Sequence, residues 1–302
     1  MPKFAFFDLR PRSGFRVPLR ASALWGQLAW AVWELEGDEA LEDWLQSHEK
    51  AIAHGLDLPL QLSSAFPRGY LPKPLLPPVE VAETSKRKAL KSLVYVPVEA
   101  FSRIFQQGEA ALLALAEDGE HPEAWERHPR TRVAMDRRTG TAAEGLLFEE
   151  ALYWSRGKLR LYAKLGNGMT ADRLHMLLEH VGRVGFGGGA SAGNGVFSVE
   201  TSGEEALPEG SGPYRLLLGP SLLPPSPEGW WKTERYWGRL GSVFAGAAAP
   251  FKRPYLRVVE GSVLRNYEPR LLDVTPSEPP EKGVRVLENL APLTLPLEVP
   301  DA

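Results

Sequence analysis

Between residues 184 and 197 the chain reads Val-Gly-Phe-Gly-Gly-Gly-Ala-Ser-Ala-Gly-Asn-Gly-Val-Phe, with six glycines in the eleven residues from Gly185 to Gly195. Ordering so many glycines costs backbone entropy, so some of these positions must need a left-handed φ or the close approach of another backbone. Three readings compete. One is a plain flexible connection between a helix and a strand. A second lays Gly185-x-Gly187-x-x-Ala190 over a dinucleotide fingerprint, but that motif opens a helix after a strand, and here the order is reversed. A phosphate loop of the nucleotide-hydrolase kind fails because no Gly-Lys-Ser/Thr follows. The third is a cradle for a phosphate backbone, made of unpaired N–H groups unshielded by Cβ atoms. In it Gly185, Gly187, Gly188, Gly189, Gly193 and Gly195 supply peptide groups, Ser191 and Asn194 neutral donors, and Arg183 the nearest charge.

Two further segments have the composition of a nucleic-acid contact. From Arg127 to Arg138 five arginines stand against the single acid Asp136. A planar guanidinium can clamp phosphate through two hydrogen bonds or stack on a base. The segment is expected to form a β-hairpin carrying Arg130, Arg132, Arg137, Arg138 and Thr139, with Asp136 organising neighbouring donors and Thr139 and Thr141 satisfying the turn. The alternative is a solvated hairpin. Lys86, Arg87, Lys88 and Lys91 form a second basic cluster, which is either a solvated face or, with Arg68, Tyr70 and Lys73, a groove in which Tyr70 stacks a base. Trp230, Trp231, Tyr236 and Trp237 read as packing residues, as do Phe66 and Phe186.

No catalytic set assembles. His175 and His180 are five residues apart, off the i, i+4 register of a shared metal. His48, His54, His121 and His128 read as surface or packing residues. No His-Glu-x-x-His, Gly-x-Ser-x-Gly or paired-carboxylate motif occurs. With no cysteine in the chain, thiol catalysis, disulfides and cysteine-ligated metals are excluded. No cofactor is expected.

The elements that must position these groups follow from periodicity. Of 302 residues, 43% are hydrophobic and 24% charged, an ordinary globular composition. The net charge of -3 excludes a uniformly basic, nucleic-acid-coating protein, although it hides a strong asymmetry. From Glu34 to Asp57 eight acids meet one base, whereas from Arg68 to Arg103 seven bases meet three acids. The acidic face is expected to lie away from nucleic acid and to be open to a protein partner. The longest charge-free apolar window, Ala21–Trp33, is 13 residues, short of the roughly 18 that span a bilayer. A soluble, cytoplasmic protein is expected.

Residues 4–9 and 15–19 read as strands, and Ser22 caps a helix whose apolar face is Leu24, Trp25, Leu28, Ala31, Val32 and Leu35. Residues 146–154 and 159–163 read as strands, followed by a helix starting near Thr170 or Asp172, with Leu174, Leu177, Leu178 and Val181 on one face. Strands follow at 196–199, 214–218, 255–259 and 293–297. The order fits an α+β protein of two ferredoxin-like (RRM-like) βαββαβ domains. The first spans 1–200, with an inserted segment at about 36–130 and the glycine loop at 185–195; the second spans 214–302.

The glycine run, entered from a helix, resembles the C-terminal glycine loop of the RAMP superfamily of CRISPR-associated RNA-binding proteins, although Gly189 and Ala190 stand where that loop commonly has basic residues. Ser63-Ser64-Ala65-Phe66-Pro67-Arg68-Gly69-Tyr70-Leu71-Pro72-Lys73-Pro74 resembles the Phe-Pro…Leu-Pro-Lys-Pro segment of the fourth subunit of type III-A (Csm) effector complexes. Asp136-Arg137-Arg138-Thr139-Gly140-Thr141-Ala142 resembles a further stretch of that subunit and its siblings. Arg20–Gly26 fits loosely, and Lys252, Arg253 and Glu260–Val263 fit more thinly. The resemblance implies a non-catalytic scaffold that grips the repeat-derived 5′ tag of crRNA and contacts the large polymerase-like subunit and the first backbone subunit. Two alternatives remain: a metal-independent endoribonuclease that processes precursor crRNA, against which stands the absence of any histidine before His48, and the equivalent subunit of a type III-B complex.

Overall fold

The computed structural model describes residues 3–80, 83–117, 122–208 and 210–299; His121 lies outside them. Strand β1 (Lys3–Pro11) alternates, with Phe7 and Leu9 fully buried on one face and Phe4, Phe6, Asp8 and Arg10 on the other. Helix α1 (Ala21–Glu36) buries Leu24, Trp25, Leu28, Ala31 and Val32, the face its spacing predicts except for Leu35, which is exposed near the helix end. Its start differs from expectation. Ser22 is buried inside the first turn, and Arg20 at the N-cap makes no side-chain cap. The orphan Ala21 N–H instead donates to Ser64 Oγ at 3.1 Å, so a distant loop closes the helix end. Gly37, at φ 95°, turns the chain into α2 (Asp38–His54). There His48 is fully buried, accepting from Trp25 Nε1 at 3.2 Å and donating through Nδ1 to the Trp44 carbonyl at 2.8 Å. Burial pulls its pKa below the usual histidine value, which suits a neutral packing residue.

Short strands β2 (Leu60–Leu62), β3 (Phe66–Pro67) and β4 (Tyr70–Pro72) follow. The chain then passes through α3 (Thr84–Ser92), β5 (Tyr95–Pro97), α4 (Phe101–Gln107) and α5 (Glu109–Glu117). A long hairpin comes next, β6 (Glu126–Met135) and β7 (Ala142–Trp154), and then β8 (Leu159–Leu165), α6 (Ala171–Val184) and β9 (Phe197–Ala206). The main sheet has the order β2-β8-β1-β9 with every pair antiparallel, and β3 extends β2 along β8. Its elements run β1-α1-β2-β8-α6-β9, the strand and helix order expected of the first half. Helices α1 and α6 cover the Phe7–Leu9 face. Thr170 caps α6 by accepting the Arg173 N–H, and the buried face of α6 is the one its spacing predicts.

Three expectations are corrected. Residues 15–19 form no strand; only an isolated bridge joins Phe15 to Tyr153. The second strand of the sheet is Leu60–Leu62, whereas residues 146–154 belong to the hairpin, outside the sheet. The main insertion is therefore residues 68–158, between strands two and three, with α2 a separate addition, and not 36–130. The second half also differs from a βαββαβ domain. It contains β10 (Tyr214–Leu217), β11 (Gly229–Trp230), β12 (Thr233–Tyr236), β13 (Tyr255–Val258), β14 (Val263–Leu264), β15 (Leu271–Asp273), β16 (Leu287–Asn289) and β17 (Thr294–Leu297). Among the described residues after Val184 there is no α-helix, only single 3-10 turns. Prolines at 220, 224, 225 and 227, and again at 276, 279 and 280, interrupt any helical period.

The second half covers part of the helix-free face of the first sheet. Phe4, Phe66 and Tyr162 pack with Leu216, Leu218, Val263, Leu293 and Leu295 in one buried cluster, while Arg10 stays exposed. Among the described residues no helix is long and apolar enough to cross a membrane.

Candidate nucleic-acid interface

The glycine loop is an ordered turn whose residue types answer to its backbone. Gly185, Gly187, Gly189, Gly193 and Gly195 all have φ between 75° and 101°, a region L side chains rarely adopt. At Gly195 an added Cβ would also lie 2.1 Å from the Phe186 carbonyl. The loop closes on itself: Phe186 N–H donates to Gly195 O, Asn194 N–H to Gly189 O and Gly193 N–H to Ala190 O. Phe186 anchors it in the core, as its sequence suggests. The N–H groups of Gly187, Gly188, Gly189, Ala190 and Ser191 have no acceptor among the described residues. Five consecutive peptide donors thus lie on this turn without a protein acceptor among the described residues, the kind of backbone in which anion sites are built. Ser191 is exposed beside them, but Asn194 is buried inside the loop, its Nδ2 unpaired. Arg183, in the last turn of α6, is exposed.

The loop and the hairpin share one side of the molecule. Gly195 N–H donates to Gly14 O and Val196 N–H to Ser13 Oγ, so residues 12–16 run alongside the loop. Arg16 packs on it: a Cβ at Gly188 would meet Arg16 Cδ at 3.1 Å. Its guanidinium pairs with Glu150 of β7, which in turn lies 2.8 Å from Arg132 Nε of β6. The chain of contacts from Gly188 through Arg16 and Glu150 to Arg132 joins residues 185–195 to residues 130–138. Neither Arg10, Arg12, Arg16 nor Lys158 stood out in the sequence; the available signal was Arg10-Pro-Arg12-Ser-Gly-Phe-Arg16, three arginines in seven residues running out of the end of the first strand.

The hairpin matches expectation and is longer. Its turn is satisfied internally: Asp136 Oδ1 accepts the Arg138 N–H at 2.8 Å and Thr139 Oγ1 lies 2.8 Å from Thr141 Oγ1. Arg130 and Arg137 make no ion pair among the described residues, and Arg138, 90% exposed, lies 4.0 Å from Asp136. The arms also expose Val133, Met135, Leu147 and Phe148.

The remaining sequence-predicted residues are not brought to this site. No hydrogen bond or ion pair among the described residues joins α3 to the loop or the hairpin. Arg87 faces inward, donating to Glu109 and the Val79 carbonyl, and serves the fold. Lys86 pairs with Glu117 and Glu83, whereas Lys88 and Lys91 are exposed on the same helix. Lys252 is paired with the fully buried Glu288 at 2.6 Å, and Arg253 donates to the Asp273 carbonyl. Tyr70 is half-buried on β4, and Arg68 is exposed 3.5 Å from Asp8. The acidic stretch is partly neutralised within the chain: Glu34, Glu36, Glu49 and Asp57 pair with His180, Arg173, Arg285 and Lys164. Trp237 is not a core packing residue: it is 61% exposed, its ring tilted against Phe251 with centroids 4.7 Å apart.

Lys73 turns inward to the Leu90 carbonyl, and burial, with Lys232 nearby, lowers its pKa to about 8. An unfolded lysine titrates near 10.4, so between these values the unfolded chain binds the extra proton and stability rises with pH. Lys73→Met is expected to remove that rise, as read from urea unfolding midpoints between pH 8 and 10.

No family model matches the chain, and no curated protein matches it. Solved structures match its fold. A chain of the Csm1–Csm4 cassette in complex with pppApA aligns over 100% of both chains, with 19% identity and a TM-score of 0.64. A chain of the Csm3–Csm4 subcomplex of the type III-A interference complex aligns over 98% of this chain and 99% of its own, with 14% identity and a TM-score of 0.60. A chain of the type III-B Cmr-beta complex bound to cognate target RNA aligns over 86% and 85%, at 14% identity and 0.51. The chain shares the fold of chains found in these type III assemblies. Csm4 is the component common to the first two assemblies, and the chain is Csm4-like in fold.

Proposed function

We propose that this chain is a non-catalytic RNA-binding scaffold of a type III-A CRISPR effector complex. It holds the repeat-derived 5′ tag of crRNA and anchors the large polymerase-like subunit and the first backbone subunit. The observation that carries this reading is the row of five free N–H groups at Gly187–Ser191, joined through Arg16 and Glu150 to an arginine-rich hairpin. Peptide donors and guanidinium groups together suit a ribose-phosphate strand, the donors fixing register and the arginines supplying charge. The neighbours' assemblies with Csm1 and Csm3 support the choice of partners. The exposed apolar surface of Trp237, Val243, Phe251 and Leu256 suits a protein contact.

Gly188 gives the test, because its φ is not left-handed and its nearest neighbour is the flexible Arg16 side chain. Gly188→Val is expected to weaken single-stranded RNA binding by about tenfold, the worth of one charge-assisted hydrogen bond, with little change in unfolding midpoint. Unchanged affinity, or a loss that merely follows lost stability, removes the loop from the site. Multiple-turnover cleavage of repeat RNA in EDTA, lost on His128→Ala, would overturn the non-catalytic role in favour of a processing endoribonuclease.

A further inference from the structure

Where β9 crosses β1 the register slips: Asp8 pairs with Thr201 and Leu9 with Val199, so Glu200 is the extra residue of a β-bulge. A bulge re-aims the side chain it carries. Here the Glu200 carboxylate gathers three cations from two segments, the end of β1 and the start of β8. Arg10 lies 3.1 Å from it, Arg12 3.7 Å and Lys158 2.7 Å. The Lys158 ammonium and the Arg10 guanidinium hold the Glu200 carboxyl below the usual glutamate range, so it stays ionised. One anion against three cations leaves a surplus of two positive charges, on side chains 43% to 54% exposed. The cluster is continuous with the glycine loop, because Arg12 N–H donates to Val196 O at 2.8 Å, one residue past Gly195. On its far side Lys158 lines a surface groove of about 680 Å³ with Ser155, Arg156 and Gly157.

We propose that Arg10, Arg12 and Lys158, ordered by Glu200, are a second phosphate station that carries the RNA strand from the glycine loop toward the Ser155–Lys158 groove. The inference rests on the proposed RNA-gripping role and assigns it two further phosphates. A carboxylate at the centre fixes the cations in advance and leaves their outer donors free, so the strand meets an ordered site; ordering loose side chains at the moment of binding would lower affinity. An isolated surface ion-pair cluster would do no more than contribute a little stability.

The full-length chain and a fluorescein-labelled 20-nucleotide oligouridylate, followed by anisotropy from 50 to 300 mM salt, test it. Replacing Arg10, Arg12 and Lys158 together by glutamine is expected to lower the slope of log Kd against log salt by about 1.4, two phosphates at about 0.7 each on a single strand. Glu200→Gln keeps all three cations but loses the carboxylate that orders them, and is expected to weaken binding while the slope stays that of the wild type; unchanged affinity removes Glu200 as the organiser. An unchanged slope in the triple variant overturns the station. If Gly188→Val still weakens binding, the failure is confined to the cluster; if neither variant responds, the RNA-gripping reading fails with it. A triple variant with normal RNA binding but lost co-purification with its subunit partners would reassign the cluster to an acidic protein surface. Absence of any RNA binding by the wild-type chain at 50 mM salt overturns both.

Discussion

Alanine at Arg130, Arg137 and Arg138 together is expected to lower single-stranded RNA affinity by about 100-fold at 0.1 M salt and to leave affinity near 1 M salt almost unchanged. The reasoning is electrostatic. Each phosphate neutralised on a single strand contributes about 0.7 to the slope of log K against log salt, so three lost contacts remove about 2.1, which at 0.1 M is about two decades. These three guanidinium groups are the suitable ones to change. Arg130 and Arg137 have no ion pair among the described residues, and Arg138 only a 4.0 Å approach to Asp136. Arg132 is unsuitable, because it shares Glu150 with Arg16 and its loss would disturb the junction with the glycine loop. Phe148→Ala provides the contrast. Its ring is exposed on β7 opposite Arg132, and stacking on a base is worth about 1–3 kcal/mol whatever the salt. It should weaken binding and keep the slope. Equal slopes for the arginine triple and the wild type, by anisotropy, would take the hairpin off the RNA.

What the sequence made legible is whatever depends on short-range pattern. The faces of α1 and α6 follow from the 3.6 period, the hairpin from arginines and threonines flanking an Asp-Arg-Arg-Thr-Gly turn, and the loop from its glycines, five of which take a left-handed φ. The errors lie where a partner distant in sequence decides. Arg87 looked like one cation of a solvated run, but Glu109, 22 residues on, turns it inward. Lys73 and Lys252 are likewise claimed by the Leu90 carbonyl and by Glu288. Leu60–Leu62 is too short for period 2 to show, so the longer run at 146–154 took its place in the expected sheet. Glu200 could not be seen as an organiser of cations, because only the strand register makes it a bulge and only the fold brings Arg10, Arg12 and Lys158 to it.

The pair that sets the stability of this face is Asp8 with Arg160, and breaking it is the change with the largest expected effect on folding. Asp8 lies in the middle of β1 and is 1% exposed, and Arg160 faces it from β8 at the register position directly opposite. The guanidinium reaches both carboxylate oxygens, at 2.6 and 2.9 Å, donates to Glu205 at 2.6 Å, and stacks 4.0 Å over the Phe6 ring. This geometry satisfies two charges that would otherwise be stranded in the interior, Asp8 being 1% and Arg160 7% exposed. Arg160→Leu should cost about 3–5 kcal/mol, since it leaves the Asp8 carboxylate buried with only Arg68 at 3.5 Å. The double change Asp8→Leu with Arg160→Leu should recover most of that loss, because no fully buried charge is then left unpaired (Glu205, a third exposed, keeps Tyr162 OH and solvent) and two apolar side chains meet across the strands. Urea unfolding of the two single variants and the double variant reads the coupling directly. If the double variant is less stable than Arg160→Leu alone, the pair holds the sheet through its hydrogen bonds and not through charge compensation.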